Sequence, residues 1–319
     1  MLSDELKSVV IRHVPGQGKL DIRRLGHGLV NETYRVLRDG RTYALRAAAM
    51  NSSDLGLDRV WEARVLECAV AADLAPEITY CDPQRGILIA RWVDGRLWSP
   101  ADVRRQSNIA RVAELMRRIH ALAVPMPART MSPAQWIEYY GAALTRRGNV
   151  SAETAAEAAD TEGARDLSAA AGRRLASLAA LPGVDPAVCH SDLHTLNLVD
   201  RGNSLALLDW EYAHAADPFW DLAGWSANND LEDDLERDLL ASYTGRPPTR
   251  DEYLRLQLLG WLYDYVCLLW SELYLSRPRD TAGADTAGAD TTHGIAARAR
   301  LLAARLMHPS SRAGQVPAH

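Results

Sequence analysis

Four polar residues in two neighbouring stretches have the types and the spacing that phosphoryl transfer requires. His190, Asp192 and Asn197 lie in the segment CHSDLHTLNLV, and Asp209 ends the apolar run that follows. Phosphoryl transfer needs a carboxylate that accepts the proton of the attacking hydroxyl, and oxygen ligands that hold magnesium on the phosphates. We therefore interpret Asp192 as the base, Asn197 and Asp209 as magnesium ligands, and His190 as a residue that braces the loop.

The same residues allow two other interpretations. In the first, His190 is a hydrogen-bonded core histidine, and Asp192 caps a helix or occupies a turn. In the second, His190, Asp192 and His194 bind a transition metal in a hydrolase, because alternate residues of an extended segment face one side. The spacing favours the kinase-like loop, and the sequence of the rest of the chain is needed to choose among the three interpretations.

The N-terminal part of the chain has the pattern of an antiparallel sheet with one helix. Alternating apolar residues predict five strands between residues 20 and 93, and Asp39-Gly40 is typical of a two-residue hairpin turn. A helix is predicted over about residues 57–72, between the third and the fourth strand.

Four residues of this region could bind a nucleotide. Gly28 and Asn31 lie in a tight turn between the first two strands, where glycine lets backbone N–H groups approach phosphates. Arg46 is a cation on an otherwise apolar strand, which is a costly position unless an anion such as Glu62 pairs with it. The alternatives are an ordinary glycine-containing hairpin and a surface ion pair of little energetic value.

After the fifth strand the pattern becomes helical, which predicts an α+β fold with two lobes. We assign residues 1–93 to an N-terminal lobe and residues 94–307 to a larger, mostly helical lobe. The tandem repeat TAGADTAGAD predicts a flexible loop over about residues 277–294, and residues 308–319 are expected to form a disordered tail.

Two further features of the C-terminal lobe bear on a site. The helix DEYLRLQLLGWLYDYVCLLWSELYL is apolar on nearly every side, so it is expected to be central to the lobe. Its aromatic residues are core residues by default, although some could line a pocket for a cationic substrate. Asp221 precedes an apolar helix start, where it can cap the helix or brace the active loop.

Composition narrows the classes of function. The net charge of −5 argues against a nucleic-acid-binding surface. The sequence contains no apolar run of membrane-spanning length, and MLSDELKSVV does not resemble a signal peptide, so we expect a cytoplasmic protein without membrane insertion. The four cysteines are scattered without a C-x-x-C pair, which disfavours structural zinc and a disulfide framework.

Taken in order, the motifs resemble those of the choline kinase and aminoglycoside phosphotransferase superfamily. GHGLVNETYRV is similar to its nucleotide loop and YALR to its third-strand motif. CHSDLHTLNLV and LLDWEYA resemble the catalytic loop and the metal-binding segment of bacterial choline and thiamine kinases. The resemblance implies a bilobal protein-kinase-like fold, with ATP and Mg²⁺ as cofactors and the hydroxyl of a small molecule as acceptor. That acceptor would be a choline-like amino-alcohol or thiamine.

The resemblance also implies roles for individual residues. It implies that Asp192 is the base and that Asn197 and Asp209 bind the metal. It also implies that Arg46, paired with Glu62, holds the ATP phosphates. The backbone around Arg91 and Val93 would contact the adenine. The candidates for the substrate side are Glu211, Tyr212, Trp225 and Trp270. One departure is the turn at Gly28, which lacks the third glycine of the protein-kinase loop.

Two alternatives remain open at this point. An aminoglycoside phosphotransferase would need a strongly acidic acceptor pocket. A catalytically silent kinase fold that serves as a binding module is the alternative of another class, and the intact Asp192, Asn197 and Asp209 count against it.

Overall fold

The computed structural model describes residues 2–27, 30–48, 55–125, 128–147, 161–277 and 286–307. Its helices are α1 (Asp4–His13), α2 (Arg59–Ala71), α3 (Pro100–Val103), α4 (Gln106–His120), α5 (Pro133–Arg146), α6 (Thr161–Ala179), α7 (Phe219–Asn228), α8 (Asp233–Thr244), α9 (Arg250–Leu275) and α10 (Thr286–Met307). Its strands are β1 (Asp21–His27), β2 (Asn31–Arg38), β3 (Arg41–Ala48), β4 (Ile78–Asp82), β5 (Ile87–Arg91), β6 (Arg96–Leu97), β7 (Ala187–Cys189), β8 (Leu198–Asp200), β9 (Leu205–Leu207) and β10 (His214–Ala216).

The N-terminal part contains the predicted five-stranded sheet. The strand order is β1-β2-β3-β5-β4, and every neighbouring pair is antiparallel. Asp39 and Gly40 join β2 to β3 with φ values of 48° and 73°, which is the left-handed geometry of a two-residue hairpin turn. The prediction of an α+β fold with this sheet is therefore confirmed.

The two faces of the sheet have different roles. On one face α1 packs through Val10 against Leu45 and Ile89, all fully buried, in a small apolar core. Side chains alternate along a strand, so Ala44 and Arg46 on β3 point to the opposite face. That face lines a large cavity.

Helix α2 crosses near this cavity and contributes to the large core of the molecule. Asp58 caps it by accepting the N–H groups of Val60 at 3.1 Å and Trp61 at 2.9 Å. The buried side of α2 includes Val65 and Leu66 as well as Glu62, so the helix fixes an acidic side chain inside the fold.

The rest of the chain is mostly helical and packs around α9. This helix contacts α5, α6, α7 and α10, and its buried residues lie on most of its circumference, as the sequence predicts. Gly224 allows the close approach of α7, because a Cβ at that position would lie 2.8 Å from Cε2 of Tyr263. The short strands β7 to β10 lie beside this bundle and frame the catalytic segments.

One boundary differs from the prediction made for the repeat. The structure describes α10 from Thr286 onward, so residues 286–294 are helical rather than a loop. The alanines of the second repeat unit favour helix, and α10 continues into an apolar stretch that packs on α9. Residues 278–285 and the tail at 308–319 lie outside the described part of the chain. Within the described helices, none has the length and apolarity required to cross a bilayer.

Candidate active site

The loop that follows β7 carries Asp192 and is anchored by Asp221. The Asp221 carboxylate, in the first turn of α7, accepts the backbone N–H of His190 at 2.8 Å and that of Ser191 at 2.7 Å. His190 is fully buried, and its Nε2 donates to the carbonyl of Leu208 at 2.9 Å. Because Leu208 directly precedes Asp209, His190 ties the loop to the second acidic segment. Through these contacts His190 and Asp221 fix the backbone of the loop that carries Asp192.

Asp192 and Asn197 lie against each other. Asn197 Nδ2 is 3.0 Å from the backbone oxygen of Asp192 and 3.1 Å from its Oδ2, which leaves Asn197 Oδ1 for another partner. Burial alone would raise the pKa of Asp192. A hydrogen bond from His194 and nearby positive charge, including that of Arg298, outweigh burial and lower this pKa below its ordinary value. Asp192 is therefore ionised at neutral pH, as a proton acceptor must be.

Asp209 is held in an unusual backbone conformation beside this loop. Its φ of 58° and ψ of 67° are left-handed, at the junction between β9 and a 3₁₀ turn over Trp210–Tyr212. The N–H of Leu208 donates to the carbonyl of Asn197 at 2.8 Å, which fixes the two segments side by side. Asn197 and Asp209 thus line one cavity, and Asp192 contacts Asn197 directly.

The predicted pair of Arg46 and Glu62 is present, and it belongs to a larger cluster. Arg46 Nη1 lies 2.6 Å from Glu62 Oε1 and 2.9 Å from Asp209 Oδ1. Glu62 is 3 % exposed, so this is a buried pair and not the surface ion pair weighed above. Burial would raise the pKa of Glu62, but Arg46 and Arg59 together hold it below its ordinary value.

Arg59 is a member of this cluster that the sequence analysis missed. Its Nη1 lies 2.9 Å from Glu62 and 2.7 Å from Glu211, and its Nη2 donates to Asn31 Oδ1 at 2.9 Å. Asn31 Nδ2 in turn donates to Glu211 Oε2 at 2.8 Å. An arginine one helical turn before Glu62 was a signal in the sequence, because residues at i and i+3 share a helix face.

Two residues predicted to contact ligands, Asn31 and Glu211, belong to this buried cluster. Both ends of the Asn31 side-chain amide are used within the cluster, and its contact with a nucleotide phosphate stays a prediction. Glu211 is 4 % exposed and is bound by Arg59 and Asn31, and its contact with the substrate stays a prediction. Burial, together with the charge of Asp209, raises the pKa of Glu211 to about 7.

The donor set at the cleft suits magnesium. Asp209 offers a carboxylate and Asn197 an amide oxygen, which are the hard oxygen ligands that Mg²⁺ prefers. Burial raises the pKa of Asp209 above its ordinary value, and the negative charges of Glu62 and Asp192 raise it further. In the cluster, three carboxylates (Glu62, Asp209, Glu211) share two guanidinium groups, so a cation here would offset excess negative charge.

The transition-metal interpretation is not supported by the geometry of His190. Its Nε2 donates to the Leu208 carbonyl, and its Nδ1 accepts the N–H of Asp192 at 3.3 Å. Both ring nitrogens are therefore engaged with backbone groups, and neither is directed to a shared point with His194 and Asp192. A metal ligand needs a free ring nitrogen, so His190 serves the loop instead.

The cavity between the sheet and the catalytic segments has the size of a ligand site. Its volume is about 490 Å³, and Arg46, Asn197 and Asp209 lie at one side of it. Arg91 and Val93 line it as well, at the point where the chain leaves β5. The N–H of the intervening Trp92 donates to the carbonyl oxygen of Thr42 at 3.0 Å, so this segment stays paired to the sheet beyond β5. Gly28 lies outside the described residues.

Three aromatic residues contact one another outside the lining of this cavity. Trp270 Nε1 donates to the hydroxyl of Tyr212 at 2.7 Å, and Trp270 stacks on Tyr274 with ring centroids 5.5 Å apart. Burial raises the pKa of Tyr212 well above its ordinary value, and the charges of neighbouring groups, among them Glu211 and Asp192, add to the rise. We call Tyr212, Trp270 and Tyr274 the aromatic group.

Trp225, the remaining substrate-side candidate, lies elsewhere. It is 1 % exposed and packs edge-to-face on Trp98 with ring centroids 6.0 Å apart. This packing places it in the core, because a fully enclosed ring has no surface left to offer a ligand. Aromatic residues on apolar helices are usually part of the core, and Trp225 is an example.

Comparison with known proteins agrees with this geometry. The model of the phosphotransferase enzyme family, APH, matches residues 21–259. A choline/ethanolamine kinase family protein from Mesorhizobium loti superposes with a TM-score of 0.69 and 26 % identity, over 93 % of this chain and 94 % of that one. The choline kinase LicA from Streptococcus pneumoniae superposes with a TM-score of 0.67 and 20 % identity, over 95 % of this chain and all (100 %) of that one.

A more limited match is to the protein LicA homolog of Mycoplasma capricolum, which is 28 % identical over 92 residues. The match spans 29 % of this chain and 37 % of the length of that relative. The family match covers well over half of the chain, and the superfamily resemblance of the motifs is thereby confirmed. The chain belongs to the APH phosphotransferase enzyme family and is a kinase-like phosphotransferase.

Proposed function

We propose that this phosphotransferase is an ATP- and magnesium-dependent kinase whose acceptor is the hydroxyl of a small amino-alcohol such as choline, with thiamine as the other candidate. The observation that supports this most directly is the position of Asp192. It contacts Asn197 at the cavity, and the neighbouring Ser191 meets Tyr212 of the aromatic group at His214, whose Nδ1 lies 3.1 Å from Ser191 Oγ and 2.8 Å from the carbonyl oxygen of Tyr212. An acceptor bound at the aromatic group would therefore meet the base and the nucleotide at once.

In this mechanism the protein acts by positioning and by charge. Asp192, ionised at neutral pH, orients the acceptor hydroxyl and takes its proton as the bond to phosphorus forms. Arg46 steadies the phosphates from the sheet side, and the backbone at Arg91 and Val93 contacts the base of the nucleotide. Asn197 and Asp209 would hold magnesium, which when bound neutralises phosphate charge.

The choice of acceptor rests on the aromatic group and on the relatives. Aromatic faces attract quaternary ammonium ions through their π electrons, and such contacts are worth about 0.5–2 kcal/mol each. The relatives that superpose on this chain include a choline/ethanolamine kinase family protein and a choline kinase, which supports the same class of acceptor.

A panel of acceptors tests the proposal. Purified enzyme is given Mg·ATP with choline, ethanolamine, thiamine, a sugar or an aminoglycoside, and ADP release is followed. We expect the highest kcat/KM with an amino-alcohol or thiamine. Preference for the sugar or the aminoglycoside would contradict the acceptor class, and no turnover with any alcohol would contradict the kinase itself.

A pair of tryptophan variants locates the acceptor. Trp270→Leu should raise the KM for the acceptor and leave the KM for ATP unchanged, because Trp270 lies in the aromatic group. Trp225→Phe is the matched control, since Trp225 is enclosed in the core, and it should lower thermal stability without affecting the acceptor KM. The reverse pattern would place the acceptor at Trp225.

A further inference from the structure

A buried clamp joins the sheet side of the cleft to the segment that carries Asp209. Arg59 on α2 and Asn31 on β2 both bind Glu211, which lies in the 3₁₀ turn two residues after Asp209. All three clamp residues are buried, with exposures of 6 % for Arg59, 6 % for Asn31 and 4 % for Glu211. We propose that Arg59 is a positioning residue that binds Glu211 and so leaves Arg46 available for the nucleotide phosphates. The proposal rests on the proposed kinase function.

The distribution of charge explains why Arg46 needs this help. Arg46 Nη1 is 2.6 Å from Glu62, 2.9 Å from Asp209 and 3.9 Å from Glu211. Arg59 Nη1 takes the second oxygen of Glu62 at 2.9 Å and Oε2 of Glu211 at 2.7 Å. Without Arg59, Glu211 would lose its shorter contact with a cation, and Glu62 would lose one of its two.

The consequence follows from the cost of an unpaired buried charge. A carboxylate that loses its partner in the interior is strongly destabilised, and the nearest guanidinium is drawn toward it. For Glu211 that guanidinium is Arg46, which already lies within 3.9 Å. Arg46 would then be held deeper in the cluster and would reach the phosphates less well.

The clamp also fixes distances across the cleft. Asn31 and Arg59 come from the part of the chain that forms the sheet and its helix, and Glu211 from the catalytic segment. A positioning group that is misplaced by about 1 Å can cost up to a hundredfold in rate. Loss of the clamp should therefore affect nucleotide binding and turnover more than acceptor binding.

Removal of the Glu211 carboxylate in the Arg59 variant distinguishes a positioning role of Arg59 from a merely structural one. We expect Arg59→Met to weaken binding of Mg·ADP by at least about tenfold and to raise the KM for ATP, with little change in the acceptor KM. In the double variant Arg59→Met/Glu211→Gln, the charge of Glu211 that would draw Arg46 away is removed too, while the contacts of Arg46 with Glu62 and Asp209 remain. Nucleotide affinity should therefore recover in part relative to Arg59→Met alone.

The matched control is Arg255→Met. Arg255 is 7 % exposed and pairs with Asp217 away from the cleft, so its loss should lower the melting temperature without affecting the affinity for Mg·ADP. If Arg59→Met does not fold, Arg59→Lys keeps the charge but provides one donor group. It should then weaken nucleotide binding less than Asn31→Ala/Arg59→Lys, which removes the second arm of the clamp.

Calorimetry with Mg·ADP needs no acceptor, so its outcome does not depend on the acceptor class. Arg59→Met with unaltered affinity for Mg·ADP, or a double variant that binds as weakly as the single variant or more weakly, would overturn the proposed role of Arg59. Wild-type protein that binds no Mg·ADP would instead overturn the proposed function.

Discussion

Replacement of Asp192 by asparagine should remove catalysis while leaving nucleotide binding intact. Asparagine has nearly the same size and keeps a polar side chain, but it cannot accept a proton. Asn197 Nδ2 still reaches the backbone oxygen of residue 192, at 3.0 Å in the wild type, so the loop keeps one of its two contacts. The side chain of Asp192 is 31 % exposed, so the substitution creates no enclosed cavity.

The magnitude follows from the role of the residue as a base. A positioned general base contributes about 10²- to 10⁴-fold to the rate, which corresponds to roughly 3–5 kcal/mol in the activation barrier. We expect kcat of Asp192→Asn to fall by that factor, with the affinity for Mg·ATP changed by less than about threefold because Asp192 orients the acceptor.

The assay combines ADP release with calorimetry and thermal unfolding. Asp82→Asn serves as the control, because Asp82 is a partly buried carboxylate (22 % exposed) on β4, outside the proposed machinery. Its kcat should equal that of the wild type. Near-normal kcat in folded Asp192→Asn protein would refute the assignment of the base, whatever the effect on binding.

Two further predictions concern stability. Burial lowers the pKa of His214 from 6.5 to about 4, so the fold is fully stabilised above about pH 6.5 and loses roughly 3 kcal/mol as the pH falls to about 4. Urea unfolding between these pH values should show this loss in the wild type and a smaller one in His214→Gln, and equal slopes would contradict it. Gly224→Ala places a Cβ 2.8 Å from the Tyr263 ring and should lower the free energy of unfolding by about 1–3 kcal/mol. Unchanged urea unfolding would show that α7 and α9 can separate without cost.

Local sequence patterns were sufficient to predict much of the fold. The alternation of apolar residues and the Asp39-Gly40 turn depend on neighbours in the chain, so five strands and their hairpin were predictable. The grouping of Asp192 with Asn197 was predictable for the same reason, because only a few residues separate them. The superfamily resemblance then indicated that the sheet and the helical part together form a bilobal kinase-like fold.

The contacts that sequence reasoning missed are long-range. Arg59 and Glu211 are separated by 152 positions, and nothing in their local patterns indicates that they meet. The same holds for Asn31 and Glu211, which are 180 positions apart and whose side chains hydrogen-bond to each other. Trp225 shows a related limit, since composition cannot distinguish an aromatic ring in a pocket from one in the core.

The central claim is that Asn197 and Asp209 hold the metal of a magnesium–nucleotide complex beside Asp192. Calorimetric titration of ATP, with magnesium and with a chelator, into the wild type and Asp209→Asn tests it most directly. We predict that magnesium strengthens ATP binding by the wild type and that this gain is largely lost in folded Asp209→Asn protein. An equal gain in both proteins would contradict the metal site on which the proposed chemistry depends.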